Sequence, residues 1–178
     1  NFDKNVEDCK SEKAMLNYRG IDWGLDHPTI CLWGKIDKEN KIVWITREYF
    51  KSGLTINENV KNILDMSGQM PIEWTVIDPS ANKRDPATNR SIKDEYARWG
   101  LFCLDGDRRE RGTDIVKMFL KTGKVKIAPQ CRNLIRELQV LEWSDKVNDD
   151  CTDTLRYLLV KIHDSVLENI FENTQPTK

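Results

Sequence analysis

Four aspartates occur where apolar or strongly periodic neighbours would place them, and together they could hold divalent cations. Asp22 lies inside the run Gly20-Ile-Asp-Trp-Gly24, Asp78 closes the run Thr75-Val-Ile-Asp, and Asp150 and Asp153 open the last long periodic segment. Spaced i and i+3, Asp150 and Asp153 project from one side of a helix. A carboxylate in or beside a sheet interior costs several kcal/mol unless a cation or a hydrogen-bond donor compensates it. No basic residue is expected in either strand core to offer an ion pair, so a bound metal or a partner is expected. Hard cations such as Mg²⁺ take oxygen ligands, and two of them about 4 Å apart can clamp the attacking and leaving oxygens of a phosphodiester in line. Three or four converging carboxylates would supply that site.

Each aspartate also has a plainer reading. Asp22 could be an exposed strand residue or form a turn with Gly24, and Asp78-Pro79 could cap a strand and open a turn. Asn148, Asp149 or Asp150 could be the N-cap of the last helix, whose dipole favours early acids. What favours the metal is the joint order of a first-strand Asp, a fourth-strand Asp and an Asp at a helix start.

Other chemistry has little to draw on. The two histidines, His27 and His163, are far apart, and neither a GxSxG nor a Cys/His nucleophile signature is present. A GxxxxGK[ST] loop and a GxGxxG loop are both missing, so nothing here cradles the phosphates of ATP or a dinucleotide. Trp33, Trp44 and Trp74 fall within apolar patterns and read as core, whereas Trp23, beside Asp22, could line the site.

Charge is nearly balanced at −1, but unevenly spread. From Lys83 to Arg136 there are fourteen Lys/Arg against seven Asp/Glu, leaving fourteen against twenty-two elsewhere. Such a basic middle suits a phosphate-rich partner or a biased solvated surface. Two clusters could flank the carboxylates: Lys83 and Arg84 after Asp78, and Arg108, Arg109 and Arg111 in a second polar loop. Phosphate contacts of this kind give salt-dependent, largely nonspecific DNA binding.

The elements that must position these residues read as α/β. Tyr18 to Trp23, Thr29 to Ile36 and Ile42 to Tyr49 form a three-stranded antiparallel meander, followed by a helix over 57–67 and a buried strand over 72–77. Further along come a helix over 91–99, a strand over 101–104, a helix over 113–121, a strand over 124–128, a helix over 131–141 and a long helix over roughly 149–169. A right-handed crossover would set the fourth strand parallel to the first and make Asp22 and Asp78 neighbours. Residues 1–17 read as a linker or tail, 18–172 as one domain, and 173–178 as a polar tail.

At 178 residues, 39% hydrophobic and 32% charged, the composition is that of one soluble globular domain. No apolar stretch approaches the roughly 20 residues that cross a bilayer, and the opening residues lack a signal-peptide pattern. Five scattered cysteines without a CxxC pair suit reduced thiols. A start at Asn rather than Met suggests a fragment of a longer chain.

Gly-Ile-Asp-Trp-Gly at 20–24, Ile-Asp-Pro-Ser-Ala at 77–81 and Asn-Asp-Asp-Cys-Thr-Asp-Thr-Leu-Arg-Tyr at 148–157, with the text from Gly112 to Leu141, resemble the nuclease domain of the large terminase subunit of tailed bacteriophages. The likeness runs from about Arg19 to Leu167, and its last motif is the most specific. It implies an RNase H-like fold related to Holliday-junction resolvases, a mixed sheet of antiparallel meander plus parallel strands flanked by helices. It also implies an endonuclease that cuts double-stranded viral DNA during genome packaging, using two divalent cations, Mg²⁺ or Mn²⁺. Catalytic residues would be Asp22, Asp78 and Asp150, with Asp153 joining them as a metal ligand. Some family members carry His where Asp150 stands. The partners implied are double-stranded DNA, an N-terminal ATPase motor, the small terminase subunit and the portal, in the host cell cytoplasm and without a membrane. The alternatives are a junction resolvase of the same fold, cutting four-way junctions, and a non-catalytic RNase H-like docking module. An actin-like sugar kinase would need a second phosphate loop and an adenosine-binding segment, and neither is found.

Overall fold

Apolar, partly alternating runs early in the chain produce three long strands, β1 (Leu16–Asp22), β2 (Thr29–Asp37) and β3 (Ile42–Lys51), paired antiparallel in sequence order. The computed structural model describes residues 2–9, 15–107, 111–141 and 150–167. Helix α1 (Ile56–Ser67) starts at a capping box in which Thr55 and Glu58 satisfy each other's backbone amides, and it stops at Gly68. That helix carries the chain over to β4 (Ile72–Ile77), which lies parallel to β1. The crossover expected from the order of elements is therefore present.

Helix α2 (Ile92–Arg98) opens with a second capping box, Ser91 and Asp94, and leads to the short strand β5 (Leu104–Asp105) outside β4. On the opposite edge, β6 (Val125–Ile127), preceded by α3 (Arg111–Thr122), runs parallel to β3. The sheet order is β5-β4-β1-β2-β3-β6. Two helices complete the described chain: α4 (Arg132–Leu141), and α5 (Asp150–Ile162), which passes into five residues of π-helix, His163–Leu167. Residues 2–9, within the stretch expected to be a tail, lie along β6. Asn5 donates to the carbonyls of Leu120 and Val125, and the Glu7 amide donates to Ile127 O.

Successive strand residues face opposite ways, so the sheet has two cores. Tyr18, Ile30, Leu32, Val43 and Ile45 pack with α3, α4 and α5, whereas Ile21, Cys31, Trp33 and Ile77 pack with α1 and α2. Leu155, Leu158, Leu159 and Ile162, four of the apolar positions expected on the last helix, are fully buried.

Two glycines let α5 lie close to the strands. A Cβ on Gly20 would sit 3.0 Å from the carbonyl oxygen of Thr154 and 3.1 Å from Leu158 Cβ, and one on Gly34 would sit 3.2 Å from Leu158 Cδ2. Neither the helix carbonyl nor Leu158 Cβ can rotate out of the way. Gly20→Ala is expected to lift α5 off β1 at a cost of roughly 1–3 kcal/mol, seen as a fall of several degrees in the thermal unfolding midpoint. An unchanged midpoint would show that the close approach is not needed.

Candidate active site

Asp22 ends β1 with the same facing as Tyr18 and Gly20, toward α5. Ile21 and Ile77 are register partners, and the Asp78 amide donates to Ile21 O at 3.0 Å, which places Asp78 beside Asp22 at matching ends of two parallel strands. Thr154, whose carbonyl abuts Gly20, holds the first turns of α5 over this point and brings Asp150 and Asp153 with it. Four carboxylates from three segments thus share one neighbourhood.

The electrostatics carry the same message. Asp22 is pushed up to about 8 from an ordinary 3.8, first by burial and then by the negative charges of Asp78, Asp150 and Asp153, with a hydrogen bond between the Asp22 and Asp78 side chains that needs a proton on one of them. Tyr157, one helical turn beyond Asp153, has its phenol pushed up by burial and then by Asp78, while Arg156 acts in the opposite sense. As the side chains stand, no group of three or more His, Cys, Asp or Glu among the described residues forms a ready-made cation site. The two observations are compatible, because charge repulsion acts over longer distances than ligation. Two of the carboxylates are also held by protein donors. Asp78 accepts from the Ser80 amide at 2.6 Å, so the turn at Asp78-Pro79 is formed as well. Asp153 Oδ1 accepts from Arg156 Nε at 3.1 Å and Nη2 at 2.9 Å. The donor set suits a hard cation: it is all oxygen and gathers four carboxylates, three of which raise Asp22 by their charge, after burial.

The expectation that neither strand core carries a basic residue is corrected by Arg19, in the middle of β1 and only 7% exposed. It faces away from the carboxylates, donating to Thr75 Oγ1 at 3.0 Å and Ser67 Oγ at 2.9 Å. The strand alternation that separates it from Asp22 leaves it unable to neutralise that group.

Trp23 is half-buried at the edge of the site and donates to Ser80 Oγ at 3.1 Å. Lys83 and Arg84 are exposed in the loop after Asp78, and Arg84 is tied to Asn89 O and to Asp94. Arg108 and Arg109 fall outside the described residues, and Arg111 is described only as the first residue of α3. Asn148 and Asp149 also lie outside them.

Sequence reasoning missed Arg156 and Glu137. Arg156 spans Asp153 and the carbonyl of Asp107, stacks over the Tyr157 ring at 4.6 Å, and fits against Gly112, where a Cβ would lie 2.9 Å from its Cγ. Its sequence signal was available: an Arg three residues after an acid on one helix. Glu137 of α4, 5% exposed, accepts from the amides of Cys151 at 2.9 Å and Thr152 at 3.1 Å. Burial pushes its carboxyl up against the lowering effect of those bonds. No local signal marks this contact, because the amides lie fourteen and fifteen residues away.

The class defined by this sheet order and these flanking helices is the RNase H-like fold. Among solved structures the chain is similar to large terminases and their nuclease domains. It covers 94% of its length against the ADP complex of a large terminase from a thermophilic bacteriophage, with a TM-score of 0.73, 17% identity and 43% of that chain spanned. Against the P22 large terminase nuclease domain it covers 85%, with a TM-score of 0.69, 18% identity and 84% of that chain spanned. Against the large terminase nuclease domain of bacteriophage SPP1 with bound Mn it covers 88%, with a TM-score of 0.61, 12% identity and 96% of that chain spanned. The chain therefore spans less than half of the thermophilic-phage protein that carries ADP. No protein-family model matches it, and no curated protein does.

Protonated Asp22 makes stability and cation affinity depend on pH in opposite directions. The folded chain holds the Asp22 proton more tightly than the unfolded chain, so the stability it confers is complete below the ordinary value of 3.8 and is lost as pH rises through about 8. In chelator, Asp22→Asn is expected to unfold about 2–4 °C above the unsubstituted chain at pH 8.5, equivalent to roughly 1 kcal/mol in a domain of this size, and with little difference at pH 5. Thermal melts at the two pH values measure this, and equal gaps at both would contradict it.

Proposed function

We propose that this domain is a metal-dependent endonuclease that cuts double-stranded viral DNA during genome packaging, as the nuclease part of a large terminase. The observation that carries the reading is the convergence of Asp22, Asp78, Asp150 and Asp153 at the ends of β1, β4 and α5, with Asp22 driven toward its neutral form first by burial and then by the other three. The likeness to large terminase nuclease domains supports it, including one from a thermophilic phage with bound zinc and one from SPP1 with bound Mn.

In this reading Asp22, Asp78 and Asp150 hold two divalent cations, Mg²⁺ or Mn²⁺, and Asp153 supports them from one helical turn further on. The ions, when bound, would activate a water toward phosphorus and stabilise the leaving 3′ oxygen. The chain's own residues do the positioning. Ser80 N–H orients the Asp78 carboxylate, and Arg156 holds Asp153. Asp22 must give up its proton to bind a cation, so activity should rise with pH toward about 8. An ATPase motor belongs to the same proposal, since the large terminase solved in complex with ADP is more than twice as long as the part of it that this chain spans, 43%. The small terminase subunit and the portal would be further partners.

Supercoiled plasmid with Mn²⁺ or Mg²⁺ is expected to be nicked and linearised, and chelator is expected to stop the reaction. Asp22→Asn, Asp78→Asn and Asp150→Asn should each slow cleavage by about 100-fold or more, consistent with the several kcal/mol that metal ions contribute. Full cleavage by all three variants would remove the reading, and a strong preference for four-way junctions over linear duplex would favour the resolvase instead.

DNA binding is expected to weaken steeply with salt. Lys83, exposed beside the site, is expected to contribute one phosphate contact. Lys83→Ala should reduce the slope of log affinity against log salt by about 1, measured with the same duplex across a salt series. An unchanged slope would clear Lys83 of contact with the backbone.

A further inference from the structure

Helix α5 carries Asp150 as its first residue, so whatever fixes that end of the helix fixes a carboxylate of the proposed cation site. The first N–H groups of a helix have no partner within it and are usually satisfied by the preceding residue. Here two of them are taken from another helix. Glu137 of α4 places one oxygen, Oε2, on both the Cys151 and Thr152 amides, immediately after Asp150. The Glu137 side chain is almost wholly buried, as is Cys151, so the bond to the Cys151 amide is shielded from water, while that to Thr152 is partly buried.

The same arrangement occurs one step earlier. Glu48 of β3 reaches the start of α4, accepting from the Asn133 amide at 3.1 Å, the Leu134 amide at 2.7 Å and the Asn133 side chain at 2.7 Å. A sheet strand thus sets the register of α4, and α4 sets the register of α5. A carboxylate at each helix start is also favoured by the helix dipole. Asp150 repels Glu137, a cost that the fold accepts at this contact.

We propose that Glu137 is a positioning residue of the cation site, capping α5 from the side so that Asp150 is held where the ends of β1 and β4 present Asp22 and Asp78. The inference rests on the reading of the four aspartates as cation ligands. The role belongs mainly to the reach of one oxygen, on which both amides fall, and the dipole's preference for a negative charge is the smaller part.

Two substitutions separate reach from charge. Glu137→Gln keeps an acceptor at the same distance and removes the charge, while Glu137→Asp keeps the charge and withdraws the oxygen by one methylene. Calorimetric titration of Mn²⁺ into the 178-residue chain is expected to give Glu137→Gln an affinity within about twofold of the unsubstituted protein. Glu137→Asp should bind about tenfold or more weakly, with helical circular dichroism retained in both. The reverse order, or two unchanged affinities, overturns the proposal. A tenfold loss in Glu137→Gln overturns it even if Glu137→Asp fails to fold. Asp150→Asn is the control: if it leaves Mn²⁺ affinity unchanged, the cation site itself is misplaced, and the positioning role falls with it.

Discussion

The structure is organised around one unfavourable interaction, the crowding of four carboxylates at the ends of β1, β4 and α5. Burial and three like charges drive Asp22 toward its neutral form. Left alone, such a cluster would spread apart, since like charges at short range in a poorly solvated site repel more strongly than they do in water. The surrounding packing resists that. Each carboxylate sits on a backbone that is fixed elsewhere: Asp22 and Asp78 by the β1–β4 ladder, Asp150 and Asp153 by a helix pressed against Gly20 and Gly34.

This division of labour explains why small residues matter as much as acidic ones. Gly20 and Gly34 contribute no side chain to the core, yet they set the distance between α5 and the strands, and that distance decides whether helix and strand carboxylates meet. Gly106 and Gly112 act alike at the rim. A Cβ on Gly106 would lie 3.0 Å from the Tyr157 ring, and Gly112 makes room for Arg156. Around these contacts the protein donors are specific: the Ser80 amide on Asp78 and the Arg156 guanidinium on Asp153.

Much of this was legible in the residues. The meander, the crossover through α1, the bounds of β4 and the apolar face of α5 all follow from periodicity, because those elements bury a regular face. The fifth strand, expected over 101–104, pairs only at Leu104 and Asp105. Leu101 is apolar because it fills the core beneath α1 and α2, so hydrophobicity there marks burial and not pairing. Asp22 and Asp78 were legible because an acid in an apolar run is conspicuous. Glu48 and Glu137 were not, because an acid on an amphipathic helix or a partly exposed strand looks like ordinary surface until the helix start it serves is known. Arg19 was passed over for a related reason. Its partners are hydroxyls on β4 and at the end of α1, which no charge pattern reveals.

Arg19 also clarifies why the carboxylates are not neutralised from within the sheet. A buried guanidinium three residues from Asp22 would ordinarily be its counter-ion, but strand alternation sends the two side chains to opposite faces. Burial lowers the Arg19 pKa, with Cys31 and Cys103 as the groups that act against that lowering. The positive charge in β1 is therefore absorbed by Thr75, Ser67 and their surroundings, and it does nothing for the other face. On that face Arg156 pairs with Asp153, and Asp22 resolves part of the remaining excess by taking a proton. A proton and a divalent cation are alternative remedies for the same excess, which is why the pH at which Asp22 ionises and the affinity for metal must be linked. Moving Arg19 to the carboxylate face would offset one charge of that excess and so weaken the pull of this end of the sheet on a cation.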